Sequence, residues 1–569
     1  MNKRQNIFHR GSNSPLGVGG FLVFLLLTFS SCKKNSSSDT QPAPTTESFD
    51  FSNVKINGNV TSLNVNDVNY LPAIKFSFSS KVDHNSVTSG ISFKNKAGGI
   101  VNFNSSYENS DSSLIIQPMN SLTPITKYTV TLNAALHSQK GKALVPDVSL
   151  SFITSIDSTD KFPQLSDNAL LDLIQQQTFK YFWDFGHPVS GMARERNSSG
   201  DVCTTGGTGF GIMALPVAVS RNFITRANAV VRLQTIVSFL KNTVPKFHGA
   251  FSHWVNGGTG AVIPFSANDD GADLVETSYL MMGLLTARQY FNGADPTETA
   301  LRNDINTLYN GVEWDWFRRD NRKVLYWHWS STQAWVMNVP VQGWNECLIT
   351  YIMGAASTTH NIPKAVYDSG FARNGAEKNG NTYLGYTLPL GPAYGGPLFF
   401  SHYTFLGVNP NSLNDVYANY QTQTVNHTKI NYEYCKANPQ NNFGYSNACW
   451  GLTASDIPTG YSASSPTNDL GVIAPTAAIS SLPYTPTESM AALKFFYYKL
   501  GDKLWKQYGF IDAFSLKDQW YADSFLAIDQ GPEIVMIENY RTGLLWNLFT
   551  SCQEVKAGML SLGFTASYL

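Results

Sequence analysis

The sequence predicts two folded units, a small all-β sandwich followed by a larger all-α unit of the (α/α)6 barrel class. Short alternating or apolar segments separated by Asn, Ser and Gly turns fill residues 49–157. From Ser166 onward the apolar spacing becomes helical, and helices alternate with long loops up to residue 569. A chain of 569 residues with 43% hydrophobic and 14% charged residues can bury cores of that size.

The residues before the first unit predict export and a flexible link. Three basic residues precede an apolar stretch at 20–29, which ends in Ser-Ser-Cys32. A basic start, a short apolar run and small residues are typical of a secretory signal, and a cysteine at that place resembles the lipobox of bacterial lipoproteins. We therefore expect a signal peptide over 1–31, acylation of Cys32 and a Ser/Thr/Pro-rich tether over 32–48. The protein would then be anchored by lipid in the bacterial cell envelope, facing the periplasm or the exterior. A plain signal followed by an ordinary cysteine is the alternative.

Composition excludes several classes of partner. A formal net charge of -1 gives no basic surface for nucleic acid, and no later stretch is apolar enough to cross a bilayer. The five cysteines after Cys32 are widely spaced, which argues against a disulfide framework and against zinc; pairing of Cys435 with Cys449 stays open. We expect a monomer. An aromatic content of 13% suits both helix interfaces and sugar-stacking clefts.

The first unit, residues 49–157, predicts a β-sandwich with no constellation of catalytic groups. Strand-like segments begin at Ile74, Leu114, Tyr128 and Val148. Through Phe76-Ser-Phe-Ser-Ser-Lys-Val-Asp and the final strand, the segment resembles a bacterial Ig-like domain. A spacer or accessory role is the expectation, with glycan binding as the weaker alternative.

The second unit, residues 160–569, contains amphipathic segments that start after a Ser166-Asp167 cap. A toroid of helical hairpins suits this alternation better than a bundle, and a solenoid is disfavoured because no fixed-period repeat is found. An inserted strand is expected near 323–329. The further helical segments are 209–220, 223–242, 271–291, 297–311, 346–356, 411–434, 487–499 and 532–550.

Acidic residues stand where loops turn into these helices. Asp269, Asp273 and Glu276 are spaced i, i+4, i+7, which places them on one helical face, while Asp270 is a candidate helix cap. Four acids within eight residues repel one another unless something binds them. We interpret this cluster as a wall that binds sugar hydroxyl groups, with capping and dipole complementation as the plain alternative.

Glu346 and Asp529 are the candidate catalytic pair. Glu346 lies near a helix start two residues after Trp344, and burial beside an aromatic ring raises a carboxyl pKa toward the range of a general acid. Asp529 precedes Gly531-Pro532, which predicts that Asp529 lies in a loop with proline at the first helical position. Inverting glycoside hydrolysis needs an acid and a base on opposite sides of the sugar ring. We therefore assign Glu346 as acid and Asp529 as base, with Asp273 as the reserve catalyst.

Further candidates for substrate binding lie in other loops and at other loop-to-helix transitions. Together with Asp269, Asp270, Glu276 and Trp344, they are Arg194, Glu195, Tyr403, Asp456 and Glu488.

Long motifs in a fixed order carry a resemblance that covers about Asp167 to Leu569. They include Ala193-Arg-Glu-Arg, Asp273-Leu-Val-Glu-Thr-Ser, Gly343-Trp-Asn-Glu-Cys, Trp450-Gly-Leu-Thr-Ala-Ser-Asp and Asp529-Gln-Gly-Pro-Glu. The segment resembles the glycoamylase-like domain and, within that group, glycoside hydrolase family 144. This resemblance implies an (α/α)6 barrel that cleaves β-1,2-glucan with inversion and without a cofactor. One departure is Asp456-Ile457-Pro458, where glycine is expected between Asp and Pro.

An endo-acting enzyme that releases sophoro-oligosaccharides is our first interpretation. An exo-acting, sophorose-releasing hydrolase or a β-glucosidase-type enzyme is the alternative. From other classes, a surface glycan-binding lipoprotein would use the acids only to hydrogen-bond sugars. A polysaccharide lyase would need a basic cleft that the sequence does not offer.

Overall fold

The computed structural model describes residues 48–569, and along the chain these divide into two compact units, the first ending at Ile156 and the second beginning at Asp157. The expected signal peptide, Cys32 and all but the last residue of the tether lie outside the described residues. Within 48–569, no helix is both long enough and apolar enough to cross a membrane.

The first unit is a sandwich of two β-sheets, and its Ig-like all-β class is confirmed. The five-stranded sheet has the order Asn59–Thr61, Phe51–Ile56, Ile74–Phe78, Ser113–Pro118, Phe103–Glu108. The four-stranded sheet has the order Asn64–Val68, Val148–Thr154, Lys127–Leu132, Ile91–Asn95, and its first pair is parallel while the others are antiparallel. In the strand Ile74–Phe78, the alternate side chains Ile74, Phe76 and Phe78 enter the core, because successive residues point to opposite faces.

The second unit is helical, as expected, with short strand pairs in its loops. Its α-helices of six or more residues are Asp167–Trp183, Thr205–Ser220, Arg226–Asn242, Leu274–Tyr290, Pro296–Asn310, Leu348–Ala356, Tyr420–Ala437, Pro475–Ser480, Pro486–Lys494, Ala527–Thr542, Leu544–Thr550 and Gln553–Leu562. The antiparallel pairings join Val202–Thr204 to Trp254–Asn256 and on to Val262–Ile263, Ala272–Asp273 to His328–Trp329, Thr382–Tyr383 to Tyr386–Thr387, Ala454–Ile457 to Gly460–Ala463, Trp505–Lys506 to Gly509–Phe510, and Phe514–Ser515 to Trp520–Tyr521.

Two predicted helix boundaries are wrong, each for a local reason. The 411–434 segment becomes helical only at Tyr420, because the Asn419 side chain accepts the Thr422 N–H and caps the helix there. The 532–550 segment begins earlier, at Ala527, and breaks at Gly543, whose φ of 70° ends an α-helix. Pro532 therefore lies inside the helix, and Asp529 lies in its first turn rather than in a loop.

Three buried helices, 205–220, 274–290 and 527–542, pack with their backbones in close contact. A Cβ atom on Gly283 would lie 2.2 Å from the Gly209 carbonyl oxygen, and one on Gly207 would lie 2.6 Å from the Ala527 Cβ. The Gly206 N–H donates to Glu276, and the Tyr279 hydroxyl donates to the Glu346 carbonyl, just before the 348–356 helix. The starts of four helices, three of which carry acidic residues, are thus brought together.

The five described cysteines, Cys203, Cys347, Cys435, Cys449 and Cys552, are all free and buried. Cys435 and Cys449, whose pairing was left open, are not joined.

Replacing Gly283 with alanine should lower the midpoint of thermal unfolding, measured by circular dichroism. Considering helix propensity alone, alanine is more favourable than glycine inside a helix by about 1 kcal/mol. A methyl group 2.2 Å from the Gly209 carbonyl oxygen, however, forces two helices apart, and such overpacking costs about 1–3 kcal/mol or more. Gly258→Ala is the control, because its new Cβ would meet no atom closer than 3.4 Å. Equal midpoints for the two variants would contradict the close helix contact.

Candidate active site

Asp273 anchors the first group of acidic residues at the start of the 274–290 helix. Its Oδ1 accepts hydrogen bonds from the Val275 and Glu276 N–H groups and from the Trp327 indole, at 3.0, 2.9 and 2.8 Å. Its Oδ2 lies 2.9 Å from Nδ1 of His253. Asp273 is therefore the helix cap as well as a buried acid.

The expectation that Asp269, Asp273 and Glu276 share one helical face is wrong, because the helix begins only after Asp273. They converge instead through two histidines. The short pairing of Ala272–Asp273 with His328–Trp329 puts His328 Nε2 at 3.5 Å from Asp269 Oδ2 and 3.9 Å from Asp273 Oδ2. His253 Nε2 lies 4.0 Å from Glu276 Oε1.

The acids and histidines of this group have pKa values shifted in different directions. Burial opposes ionisation of Asp273, but the hydrogen bond and charge of His253 outweigh it and lower the Asp273 pKa. Burial and the charge of Asp273 raise the pKa of Asp269 to about 7, and burial also raises that of Glu276. Burial lowers the pKa of His328 to about 4, whereas for His253 the nearby Glu276 and Asp273 overcome burial and raise it to about 9. At neutral pH, Asp273 is ionised beside a charged His253 and a neutral His328.

Asp269, Asp273 and His328 offer ligand atoms that all lie within 4.8 Å of one another, a geometry that could hold a metal ion. The sequence predicts no metal, and we assign none to these residues.

Asp270 binds the 330–334 segment and does not cap the helix, which Asp273 does. Its carboxylate accepts a hydrogen bond from the Thr332 hydroxyl, and hydrogen bonds from Ser330 and Thr332 lower its pKa. Asp270 thus secures the 330–334 turn, which argues against its predicted contact with substrate.

A second acidic group surrounds Arg196. The guanidinium Nε donates to both carboxylate oxygens of Glu195, and Nη1 donates to both oxygens of Asp456 at 2.9 and 3.0 Å. The Ser524 hydroxyl donates to Asp456 at 2.6 Å. The backbone N–H of Asp456 donates to Asp512 at 2.7 Å, and Asp512 is in turn hydrogen-bonded to Asp529. Arg196 thus links the predicted residues Glu195 and Asp456 to the surroundings of Asp529.

Asp529 and Asp512 form a buried carboxyl pair. Burial comes first among the causes that raise the pKa of Asp529 well above its ordinary value, followed by the charge of Asp512 and the hydrogen bond with it. Burial and the charge of Asp456 raise the pKa of Asp512 to about 7. Two carboxyl groups in contact cannot both ionise readily, so the pair retains one proton near neutral pH.

Glu346 lies in the turn before the 348–356 helix. Its carbonyl accepts hydrogen bonds from the Thr404 and Tyr279 hydroxyl groups at 2.7 and 3.3 Å, which fix the backbone of this turn. The side chain is half-buried. Burial, followed by the negative charges of Glu276 and Asp273, raises the pKa of Glu346 to about 7. A proton is therefore available on Glu346 at neutral pH.

Tyr403 joins the two acidic groups. Its ring packs against Phe399, Phe210 and Tyr279 with centroids 5.1, 5.3 and 5.7 Å apart. Burial raises the pKa of its hydroxyl, and the charges of Asp529, Glu346 and Glu276 contribute to that rise. These acids from three helix starts therefore all lie close enough to Tyr403 for their charges to act on its hydroxyl.

Three predicted binding residues lie elsewhere or point elsewhere. Trp344 is only 5% exposed and packs against Phe405 and Tyr420, so its ring is a core contact rather than a sugar platform. Glu488 forms an ion pair with Lys429. The Arg194 guanidinium lies 4.6 Å from the centroid of the Phe185 ring.

The structure adds site residues that the sequence analysis missed. Arg196 and Asp512 complete the second acidic group, and His253 and His328 the first. A charged residue inside the apolar run 509–514 was a usable signal for Asp512. Phe265 is 46% exposed, and its ring lies 4.3 Å from that of His253 and 4.8 Å from that of Trp254. It presents an aromatic surface beside the first group.

Similarity to known proteins agrees with this arrangement. A family model described as "Putative glucoamylase" matches residues 338–553, and a bacterial Ig-like domain model matches residues 40–154. The crystal structure of a "putative glucoamylase" from Bacteroides uniformis matches this chain with a TM-score of 0.71 and a sequence identity of 52%. The match covers 72% of this chain and 100% of that one. The endo-β-1,2-glucanase from Chitinophaga pinensis, solved with sophorotriose and glucose, has 49% identity and a TM-score of 0.70, covering 71% and 100%. The chain belongs to the glycoamylase-like glycoside hydrolases of family 144.

A curated relative of this family 144 member is described as exo-acting, whereas the Chitinophaga pinensis enzyme is described as endo-acting. It is an exo β-1,2-glucooligosaccharide sophorohydrolase (non-reducing end) from Parabacteroides distasonis, 44% identical over 417 residues that cover 69% of this chain. The matched region spans 58% of that relative's length.

Replacing Asp273 with asparagine should lower the pKa of His253 from about 9 toward its ordinary value of 6.5, because the hydrogen bond and one negative charge are lost. NMR titration of the imidazole signals, assigned with His253→Gln, measures this shift. The raised pKa also makes folding pH-dependent: the stabilisation is complete below about 6.5 and is lost as the pH rises through about 9.

The neighbouring Asp270→Asn variant is the control and should leave the titration of His253 unchanged, because Asp270 bonds Thr332 instead. A His253 that titrates near 6.5 in the unmodified protein would contradict the charge assignment.

Proposed function

We propose that the helical unit, folded as an (α/α)6 barrel, hydrolyses β-1,2-glucan with inversion and acts within the chain to release sophoro-oligosaccharides. The observation that carries the proposal is that a proton-bearing Glu346 and the Asp529 carboxyl pair both lie near the hydroxyl of Tyr403. The 49% identical endo-β-1,2-glucanase bound to sophorotriose supports the substrate class.

The reaction assigns one proton transfer to each acid. Glu346 donates its proton to the glycosidic oxygen as the bond from that oxygen to the anomeric carbon breaks. A water molecule attacks the anomeric carbon from the opposite face, and Asp529 accepts a proton from that water. Solvent then returns a proton to Glu346 and removes one from Asp529, which restores the enzyme.

Ionised Asp273 is less suited to proton transfer, although it was the reserve candidate. Four hydrogen-bonding groups already occupy its oxygens, and its pKa is lowered. In the proposal, Asp273 keeps negative charge beside Glu346 and so helps Glu346 to retain its proton. Asp269, Glu276 and Tyr403 border the substrate.

An exo-acting, sophorose-releasing hydrolase is the second candidate, and the 44% identical sophorohydrolase favours it. Products released from linear β-1,2-glucan distinguish the two: mixed short oligomers indicate internal cleavage, and disaccharide alone indicates action at an end. NMR of the first products reports the anomeric configuration.

Two expectations from the sequence complete the proposal. Export with a lipid anchor at Cys32 would place the enzyme in the cell envelope, which fractionation of cells into membrane and released protein tests. The protein acts as a monomer, which light scattering of the purified chain tests.

Glu346→Gln and Asp529→Asn should each lower kcat on linear β-1,2-glucan by about 10²–10⁴-fold, the usual contribution of a general acid or base. Above about pH 7, kcat/KM of the unmodified enzyme should fall because Glu346 loses its proton. Glu488→Gln is the matched control and should stay within about twofold, because Glu488 pairs with Lys429. Full activity in either catalytic variant would refute that residue's role.

Phe265→Ala should raise KM for glucan about fivefold, with kcat within about twofold, because the loss of one stacked ring costs about 1 kcal/mol. Phe265→Trp should keep KM near the unmodified value, since it retains an aromatic face beside Trp254. Leu560→Ala, at another exposed apolar side chain, is the control. An unchanged KM in Phe265→Ala would exclude this ring as a sugar platform.

A further inference from the structure

Asp512 is a fully buried acid that the proposed chemistry does not yet use. It lies between the strands Gly509–Phe510 and Phe514–Ser515, and its backbone N–H donates to the Ser524 carbonyl at 2.9 Å. Its Oδ2 accepts the Asp456 N–H at 2.7 Å. Its carboxyl group is therefore held in one orientation against Asp529.

The hydrogen bond between Asp512 and Asp529 requires a proton, because two ionised carboxylates offer only acceptors. The charge of Arg196 lowers the pKa of both acids but does not outweigh burial, and its Nε and Nη1 groups are already bound to Glu195 and Asp456. Within residues 48–569, Asp512 Oδ1 and Asp529 Oδ2 are buried and accept no other hydrogen bond, so the shared proton belongs between these two oxygens. The second oxygen of Asp529, Oδ1, is thus left for another molecule.

We propose that Asp512 is a positioning residue that shares a single proton with Asp529 and so presents the free Asp529 oxygen as the base. This inference rests on the proposed function, since it explains how Asp529 can accept a proton while it contacts a second acid. Asp512 touches neither substrate nor water in this assignment and acts only through Asp529.

The shared proton stays with the pair throughout the step. The attacking water loses one proton to the free Asp529 oxygen, and its oxygen bonds the anomeric carbon while Glu346 protonates the departing sugar. The Asp512–Asp529 pair then holds two protons, and release of one to solvent restores the singly charged pair. No oxidant or further reactant is needed.

The groups that face the pair define its titration. They are Arg196 from the 194–197 loop, Asp456 and Tyr461 from the 454–463 hairpin, and Tyr403. A raised carboxyl pKa means that the folded state keeps a proton that the unfolded chain loses near pH 3.9. The stabilisation is therefore complete below the unfolded pKa and is lost as the pH rises through the folded one, about 7 for Asp512.

Urea unfolding of the full chain at pH 5 to 9 tests the shared proton without any assay of activity. Each proton held only by the folded state changes the unfolding equilibrium constant by up to about tenfold per pH unit. In Asp512→Asn, the change of the unfolding equilibrium constant per pH unit should be smaller than in the unmodified chain, by up to that factor of about ten. Asp529→Asn should lose the same amount, because the proton belongs to the pair. The exposed Asp523→Asn variant is the control and should lose none.

Kinetics then separate positioning from simple support of the fold. Asparagine at 512 can still accept the Asp456 N–H and donate to Asp529, so Asp512→Asn should keep kcat within about tenfold. Asp512→Ala removes the donor and should lower kcat by about 100-fold or more, with KM within about twofold.

Unchanged pH dependence of unfolding in both Asp512→Asn and Asp529→Asn would overturn the shared proton, whatever the activity. Equal kcat in Asp512→Ala and the unmodified enzyme would overturn the positioning role. An unmodified chain that does not cleave β-1,2-glucan refutes the proposed function and leaves the unfolding result to stand by itself.

Discussion

The electrostatic repulsion among closely placed carboxyl groups is the constraint that shapes the helical unit. The acids concerned are Glu195, Asp269, Asp273, Glu276, Glu346, Asp456, Asp512 and Asp529. The structure stabilises some as anions, by backbone N–H groups and His253 around Asp273 and by Arg196 between Glu195 and Asp456. Others remain protonated, as the raised pKa of Glu346 shows. Ionised and protonated acids therefore stand side by side, which acid–base catalysis requires.

Helix packing makes this compensation possible. Backbone N–H groups can stabilise an acid on another helix only if the two helices approach closely, and glycine permits that approach. The Gly206 N–H donates to Glu276 at 2.7 Å, and a Cβ atom on Gly206 would lie at that same distance from the carboxylate. The glycines of the 205–211 segment thus serve charge compensation as well as packing.

Local sequence pattern predicted a β-sheet Ig-like unit followed by a helical unit, and it drew attention to Asp273, Glu346 and Asp529 because each lies at or next to a helix start. Its errors arose where a local signal has two structural outcomes. Proline is over-represented at the first position of helices, and we therefore predicted that a helix begins at Pro532. The helix begins five residues earlier, at Ala527, so Asp529 lies in its first turn and not in the predicted loop. An aromatic residue beside an acid can face a cleft or the core, and Trp344 faces the core. The Arg196–Asp456 and Asp512–Asp529 contacts join distant segments, so no spacing could have predicted them.

The free cysteines are protected from thiol reagents in the folded chain but not in the unfolded chain. Burial raises the pKa of the Cys203 thiol to about 12 and that of Cys435 well above its ordinary value, so the reactive thiolate is scarce in the native state. All five described thiols are buried in the folded chain, so unfolding exposes them. The rate at which these thiols are alkylated therefore reports how often the helical unit opens. The same exposure would leave a slowly folding chain vulnerable to mispaired cross-links in an oxidising compartment.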